Sequence, residues 1–273
     1  MILLLIIIGV SLLLGILLGK ITMSLKFKKQ VSLLYANTLN VSNNTYSISQ
    51  LNGLPKPVQR YFKYVLKDGM PYISSVRLKH KGLFKTNLKS GFINIKGEQY
   101  FSVQKPQFTW KGTTLFFTAR DSFIADKGNL KVSLFNIFTV VDAKGREINE
   151  GEMQRWLAES VWFPTNLLPS ENITWIAMDE NSAKLSFLYK EISFDFIVTF
   201  NTVGEIVTLE TQRFMTNKRE PWLCKMENYK EINGVKIPVS AEVIWKLKTG
   251  DFSYAKFKVI AIKYNQNISK RIL

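Results

Sequence analysis

The chain has 273 residues, 46% of them hydrophobic and 13% aromatic, with 37 Lys and Arg against 21 Asp and Glu for a net charge of +16. This composition excludes wholesale disorder, and a single cysteine (Cys224) beside a single histidine (His80) excludes an intrachain disulfide and any Cys/His metal cluster. The surplus of lysine reads either as contact with anionic lipid head groups or as general solubility charge; no helix-turn-helix, zinc or RNP-like signature points to nucleic acid.

Residues 1–19 carry no charge, and Ser11 is their one hydroxyl. As a helix they span about 28 Å, close to the roughly 30 Å of bilayer hydrocarbon. No basic residue precedes the run, it is too long for a signal peptide, and no small-residue cleavage site follows. The expectation is an uncleaved transmembrane helix over 1–20 and single-pass membrane localisation. Lys20, Lys26, Lys28 and Lys29 follow the span and favour a cytoplasmic main domain under the positive-inside rule. Residues 21–52 read as a short helix continuation and an Asn/Ser/Thr-rich linker, and 53–273 as one β-rich domain.

That domain opens with a helix at Leu54-Pro55-Lys56-Pro57, where Val58, Tyr61, Phe62, Val65 and Leu66 keep one apolar face and Gly69 and Pro71 stop it. The period then changes to two. Arg77, Lys79 and Lys81 alternate with Val76, Leu78 and His80, so His80 is expected as a packed, hydrogen-bonded core group. Strands are expected at 91–95, 99–103, 108–111, 115–119 and 122–125. Residues 130–141 are apolar on both alternating sets and read as one strand covered on both faces. Gly82, Gly91 and Gly97 read as turns.

A second helix begins near Asn149, which with Glu152 suggests a capping box. Met153, Trp156, Leu157 and Val161 line one side, Gln154, Arg155 and Glu159 the other, and Phe163-Pro164 ends it. A meander of hairpins follows: 173–178, 183–189, 192–200, 206–214, 222–230, 236–247 and 252–264. Asn233-Gly234 is its strongest turn. Many antiparallel strands with two firm helices predict a mainly β (α+β) domain, a large curved sheet or half-barrel with a packed helix over its concave face.

Leu54-Pro55-x-Pro57-Val58-Gln59-Arg60-Tyr61-Phe62, Gly151-Glu152-Met153-Gln154-Arg155-Trp156-Leu157-Ala158-Glu159 running into Trp162-Phe163-Pro164-Thr165-Asn166-Leu167-Leu168-Pro169, and Ile237-Pro238 with Glu242 and Trp245 together resemble an uncharacterised bacterial and archaeal family, a domain of unknown function whose members are often membrane-anchored. The resemblance covers nearly all of the chain after residue 51 and departs from it in the high lysine content. It implies a sheet-and-helix plan similar to the half-barrel of periplasmic lipoprotein carriers, and so a domain outside the cytoplasm. The side of the membrane stays open between that implication and the charge rule. The resemblance implies no activity.

Trp110, Trp156, Trp162, Phe163 and Trp245 read either as core or as walls of an apolar ligand cavity. Arg213 and Glu242 stand on strands among apolar neighbours and read as a structural ion pair or as polar anchors for a ligand head group. Glu152 and Glu159 are the carboxylates a hydrolase would use, and helix capping with an Arg155–Glu159 pair accounts for them without chemistry. No metal, cofactor or catalytic residue is expected. The leading expectation is a membrane-anchored protein sheltering an acyl chain or another hydrophobic group. The alternative is a structural or interaction module without a ligand.

Overall fold

The structure is a computed structural model that describes residues 1–36 and 42–266. Part of the expected linker, 37–41, and the last seven residues lie outside the described residues. Helix α1 (Ile2–Ala36) is long and apolar enough to cross a membrane, a property shared by anchors and signal sequences. It does not end where the charges begin. Met23, Phe27, Val31 and Leu34 are buried, so its second half is a docked element of the domain.

Helix α2 (Lys56–Val65) forms as its periodicity predicts, burying Val58, Tyr61, Phe62 and Val65. Thirteen strands follow among the described residues. Six precede the central helix: β1 (Ser75–Phe84), β2 (Ile93–Ser102), β3 (Gln107–Thr113), β4 (Phe117–Ile124), β5 (Lys127–Leu134) and β6 (Phe138–Ala143). Then come α3 (Arg146–Ala158) and two 3-10 turns, Glu159–Trp162 and Pro164–Leu167. The remaining strands are β7 (Ile173–Ala177), β8 (Ser182–Tyr189), β9 (Ile192–Phe200), β10 (Ile206–Phe214), β11 (Arg219–Ile232), β12 (Val235–Leu247) and β13 (Gly250–Tyr264).

All thirteen lie in one antiparallel, open, curved sheet of order β6-β5-β4-β3-β2-β1-β13-β12-β11-β10-β9-β8-β7. Every neighbouring pair is consecutive in the chain except β1 and β13, which join the two meanders from Val76↔Tyr264 to Phe84↔Ala255. Asn233 (φ +54°) and Gly234 (φ +81°) make the tight β11–β12 turn.

Three expectations need correction. The runs expected at 91–95 and 99–103 belong to one strand, β2 (Ile93–Ser102), with Gly97 near its centre opposite His80, and Gly82 is likewise internal to β1. The two short runs at 115–125 are one strand, β4. The apolar stretch 130–141 is two strands turned by Phe135 and Asn136 at positive φ, and β6 is exposed along most of its length. Burial on two faces therefore does not explain its lack of polar residues.

Inward residues such as Val76, Leu78, Ile95, Phe101, Phe108 and Phe123 meet α3 and the 3-10 turns, with α2 closing the side near β8 and β12. Trp156 is the centre of this interior, 2% exposed, with ring centroids 6.0 Å from Phe187 and 6.4 Å from Phe163. The second half of α1 rests on the opposite, outer face, where Phe27 and Val31 pack on Tyr100 and Lys111 stacks over Phe27.

Candidate functional site

Helix α3 starts at Arg146 behind Gly145, a turn earlier than its sequence suggests. The Asn149 side chain does not cap it; its Oδ1 accepts the Gly128 N–H at 2.7 Å and ties α3 to β5. The capping-box partner Glu152 is consequently turned inward and 4% exposed. Gln154 is also fully enclosed, its Nε2 donating to the Gln212 carbonyl, so α3 has no solvent side of the kind its sequence suggests.

This arrangement collects charge inside the sheet. Arg155 binds Asp121 of β4 and, at 3.0 Å, Glu159, the predicted i,i+4 pair. Its guanidinium lies 4.6 Å from the Trp110 ring centre. Glu159 accepts from Gln99 Nε2 at 2.5 Å. Glu150 holds Arg219 through two contacts of 2.5 and 2.7 Å. Among the described residues, Asp121 Oδ1, Glu152 Oε2, Gln99 Oε1 and Arg213 Nε are buried without a hydrogen-bond partner.

Burial, reinforced by the charge of Asp121, pushes the Glu152 carboxyl up to about 8, so it holds a proton at neutral pH. Burial raises Asp121 and Glu159 as well, outweighing the pull of Arg155. Arg155 is held above its ordinary value, the three carboxyls outweighing desolvation.

His80 is a core group, as expected. Its Nε2 accepts the Trp110 indole N–H at 2.8 Å, and desolvation followed by the nearby Arg155 charge lowers it to about 3. Gly97 and Gly112 make room for this pair. A Cβ on Gly97 would stand 2.0 Å from His80 Nε2, and one on Gly112 would stand 2.2 Å from the Trp110 ring.

The expected ligand residues separate into four places. Trp156, Trp162 and Phe163 are enclosed core side chains. The indole N–H of Trp156 reaches the Ser102 carbonyl at 3.3 Å, and that of Trp162 the Pro238 carbonyl at 3.0 Å. The wall expected around Trp156 is therefore filled by its own neighbours. Trp110 sits beneath Arg155 in the charged cluster.

Trp245 and Arg213 belong to a more open part of the concave face. Arg213 stacks 4.6 Å over Trp222 and 6.0 Å from Trp245. Trp245 stacks on Tyr254 at 6.3 Å, Tyr254 meets Phe84 at 6.0 Å, and Phe84 meets Phe117 at 6.3 Å. Phe84, Phe117, Tyr254 and Arg213 are each partly exposed. Phe84, Phe117 and Tyr254 carry no sequence signal that separates them from ordinary strand aromatics, because their proximity comes from strands far apart in the chain.

Glu242 lies on the other face of the sheet. There it binds Lys256 at 3.0 Å and accepts from Ser253 at 2.6 Å, a structural ion pair unconnected with Arg213. The β-strand period of two separates them: Glu242 alternates with the inward Ala241 and Val243. With Lys81, Lys96, Lys256 and Lys258 it lines an outer groove of about 700 Å³.

A LolA superfamily protein from Nitrosomonas europaea is similar over 80% of this chain and 96% of its own, with a TM-score of 0.46 and 8% identity. A putative outer membrane lipoprotein-sorting protein domain from Vibrio parahaemolyticus is similar over 71% of this chain and 86% of its own, with a TM-score of 0.39 and 9% identity. No curated protein matches. The model of the family of unknown function DUF6544 matches residues 44–257, covering α2, α3 and the sheet as far as the middle of β13. By that match the chain belongs to DUF6544, a family without an assigned activity.

Proposed function

We propose that this chain is a membrane-tethered binding protein whose concave face takes an acyl chain or a similar apolar group. The observation that carries the reading is the row Phe117–Phe84–Tyr254–Trp245, partly open and ending at Arg213. Apolar walls with a single convergent cation suit a ligand with a greasy tail and an anionic head. Among the described residues the Nε of Arg213 has no hydrogen-bond partner, and its charge, which also acts on Asp121 and Glu152, is left outside the ion pairs that Arg155 and Arg219 form with the α3 carboxylates. The anchor is α1, and the surplus lysine suits anionic head groups nearby.

A second reading, a structural module with no ligand, is favoured by the filled interior around Trp156. The test is mass spectrometry of the full chain purified in mild detergent. The binding reading expects co-purifying lipid or fatty acid, reduced in Trp245→Ala and in Arg213→Ala. Protein that carries no lipid and takes up no fluorescent fatty acid would leave the structural reading.

A further inference from the structure

Two hairpin turns stand apart from the rest of this basic surface. From Thr113 to Ala119 and from Leu134 to Val141 the chain has no charged residue. At the β3–β4 turn Leu115 is 83% exposed and Phe116 is 53% exposed. At the β5–β6 turn Phe135, Ile137 and Phe138 are exposed too, and the two turns are joined by a hydrogen bond from the Phe135 N–H to the Phe116 carbonyl. Phe135 adopts φ +49°, a conformation a bulky side chain rarely takes, where Gly or Asn would relieve the strain. Solubility and local folding both argue against phenylalanine here, so a different solvent is the simpler explanation.

The position of α1 identifies that solvent. A Cβ on Gly19 would lie 3.1 Å from the Asn136 carbonyl oxygen and from Ile137 Cγ1, and one on Gly15 would lie 3.8 Å from Ile137 Cδ1. Gly15 and Gly19 form the last turn of the uncharged run, and Lys20 follows immediately. The β5–β6 turn therefore stands level with the end of the membrane-spanning stretch. Phe84 and Phe117, at the open end of the aromatic row, terminate strands at this same end of the sheet.

We propose that the turns 114–116 and 135–137 enter the bilayer beside α1 and bring the open end of the aromatic row to the lipid surface. The inference rests on the membrane-anchor reading of α1, and it deepens the binding proposal by giving the ligand a route directly from the bilayer. Insertion is shallow. Strand β6 is the sheet edge, and its unpaired backbone groups belong in the interfacial zone, where water still reaches them. Lys89 and Lys248, exposed in the neighbouring turns, meet the head groups at the same level.

The test uses the full chain in phosphatidylcholine–phosphatidylglycerol vesicles. Leu115→Cys, Ile137→Cys and, as a control in the opposite β2–β3 turn, Lys105→Cys are labelled singly with an environment-sensitive fluorophore. The native Cys224 is buried and shielded from labelling. The expected result is blue-shifted emission, quenched by spin-labelled acyl chains, at 115 and 137, with water-like emission quenched by iodide at 105. Adding Phe138→Glu should shift the 137 label toward water while the chain stays vesicle-bound through α1.

Water-like emission at all three positions would overturn the proposal. So would intact-mass evidence that the first nineteen residues are removed, since no span would remain beside the turns. Lipid content is measured separately on the unlabelled chain. Inserted turns without bound lipid would count against the ligand alone, and bound lipid with wet turns against the route alone.

Discussion

At Glu152 the fold places a carboxyl where water cannot solvate it, and the consequence is a measurable pH dependence. Its folded-state value of about 8 exceeds the ordinary 4.5, so the folded chain keeps a proton that the unfolded chain has released between those limits. Stability from this group is complete below pH 4.5 and is lost as pH rises to about 8, on the order of 1 kcal/mol per pH unit. Asp121 pushes the same way, and the two titrate together. His80 has the opposite sign: held neutral down to about pH 3, it withdraws stability as pH falls below 6.5. Between pH 6.5 and 8 His80 is neutral in both states while folded Glu152 still gives up its extra proton, so urea denaturation of the wild type should show a falling midpoint there. In Glu152→Gln the slope should flatten; an unchanged slope would mean that Glu152 is ionised in the folded state. The His80 environment was legible from strand alternation. That of Glu152 was not, because the i,i+3 spacing from Asn149 is shared by a helix cap and by a buried turn.

Among the elements, α3 and α1 show two ways in which periodicity underdetermines packing. The Met153–Trp156–Leu157 stripe correctly announces a helix, yet Gln154, Arg155 and Glu159 on the other side are also drawn in, because a curved sheet wraps the helix from more than one direction. Helix α1 reads as a span with a short helix continuation, and the continuation runs to Ala36 as a docked element because Phe27, Val31 and Tyr35 find Tyr100 on the outer face of the sheet. The Tyr35 hydroxyl also donates to the Val76 or Phe101 carbonyl, at 3.2 and 3.3 Å. Phe27→Asp should release this half-helix. Trypsin would then cut faster after Lys28 and Lys29 in the detergent-solubilised chain, while the unfolding midpoint of the sheet falls by only about 1–2 kcal/mol equivalent. Equal cleavage rates would show that α1 is not docked. The stretch 130–141 misled for a related reason: lack of polarity on both faces reads as burial on both sides, yet β6 is exposed along most of its length.

For the molecule as a whole, the decisive contact is the β1–β13 seam, the one pairing between strands far apart in sequence. It unites two meanders that would otherwise each be open at an additional edge. A chain ending before Gly250 should lose cooperative unfolding, seen as separate or absent transitions by circular dichroism, and should aggregate through the exposed β1 and β12 edges. A single sharp transition in that truncation would show that each meander folds alone. The chain's local patterns set the uncharged N-terminal helix, the hairpin order, the antiparallel class and the inward placement of His80, because alternation, periodicity and turn chemistry act between near neighbours. Tertiary structure alone decided that Arg213 and Glu242 lie on opposite faces, that Trp156 is enclosed while Tyr254 and Phe84 stay partly open, and that two apolar turns stand beside Gly15 and Gly19. Those outcomes depend on how far thirteen strands curve before a helix fills them, a distance set by packing across the sheet and by no residue's immediate neighbours.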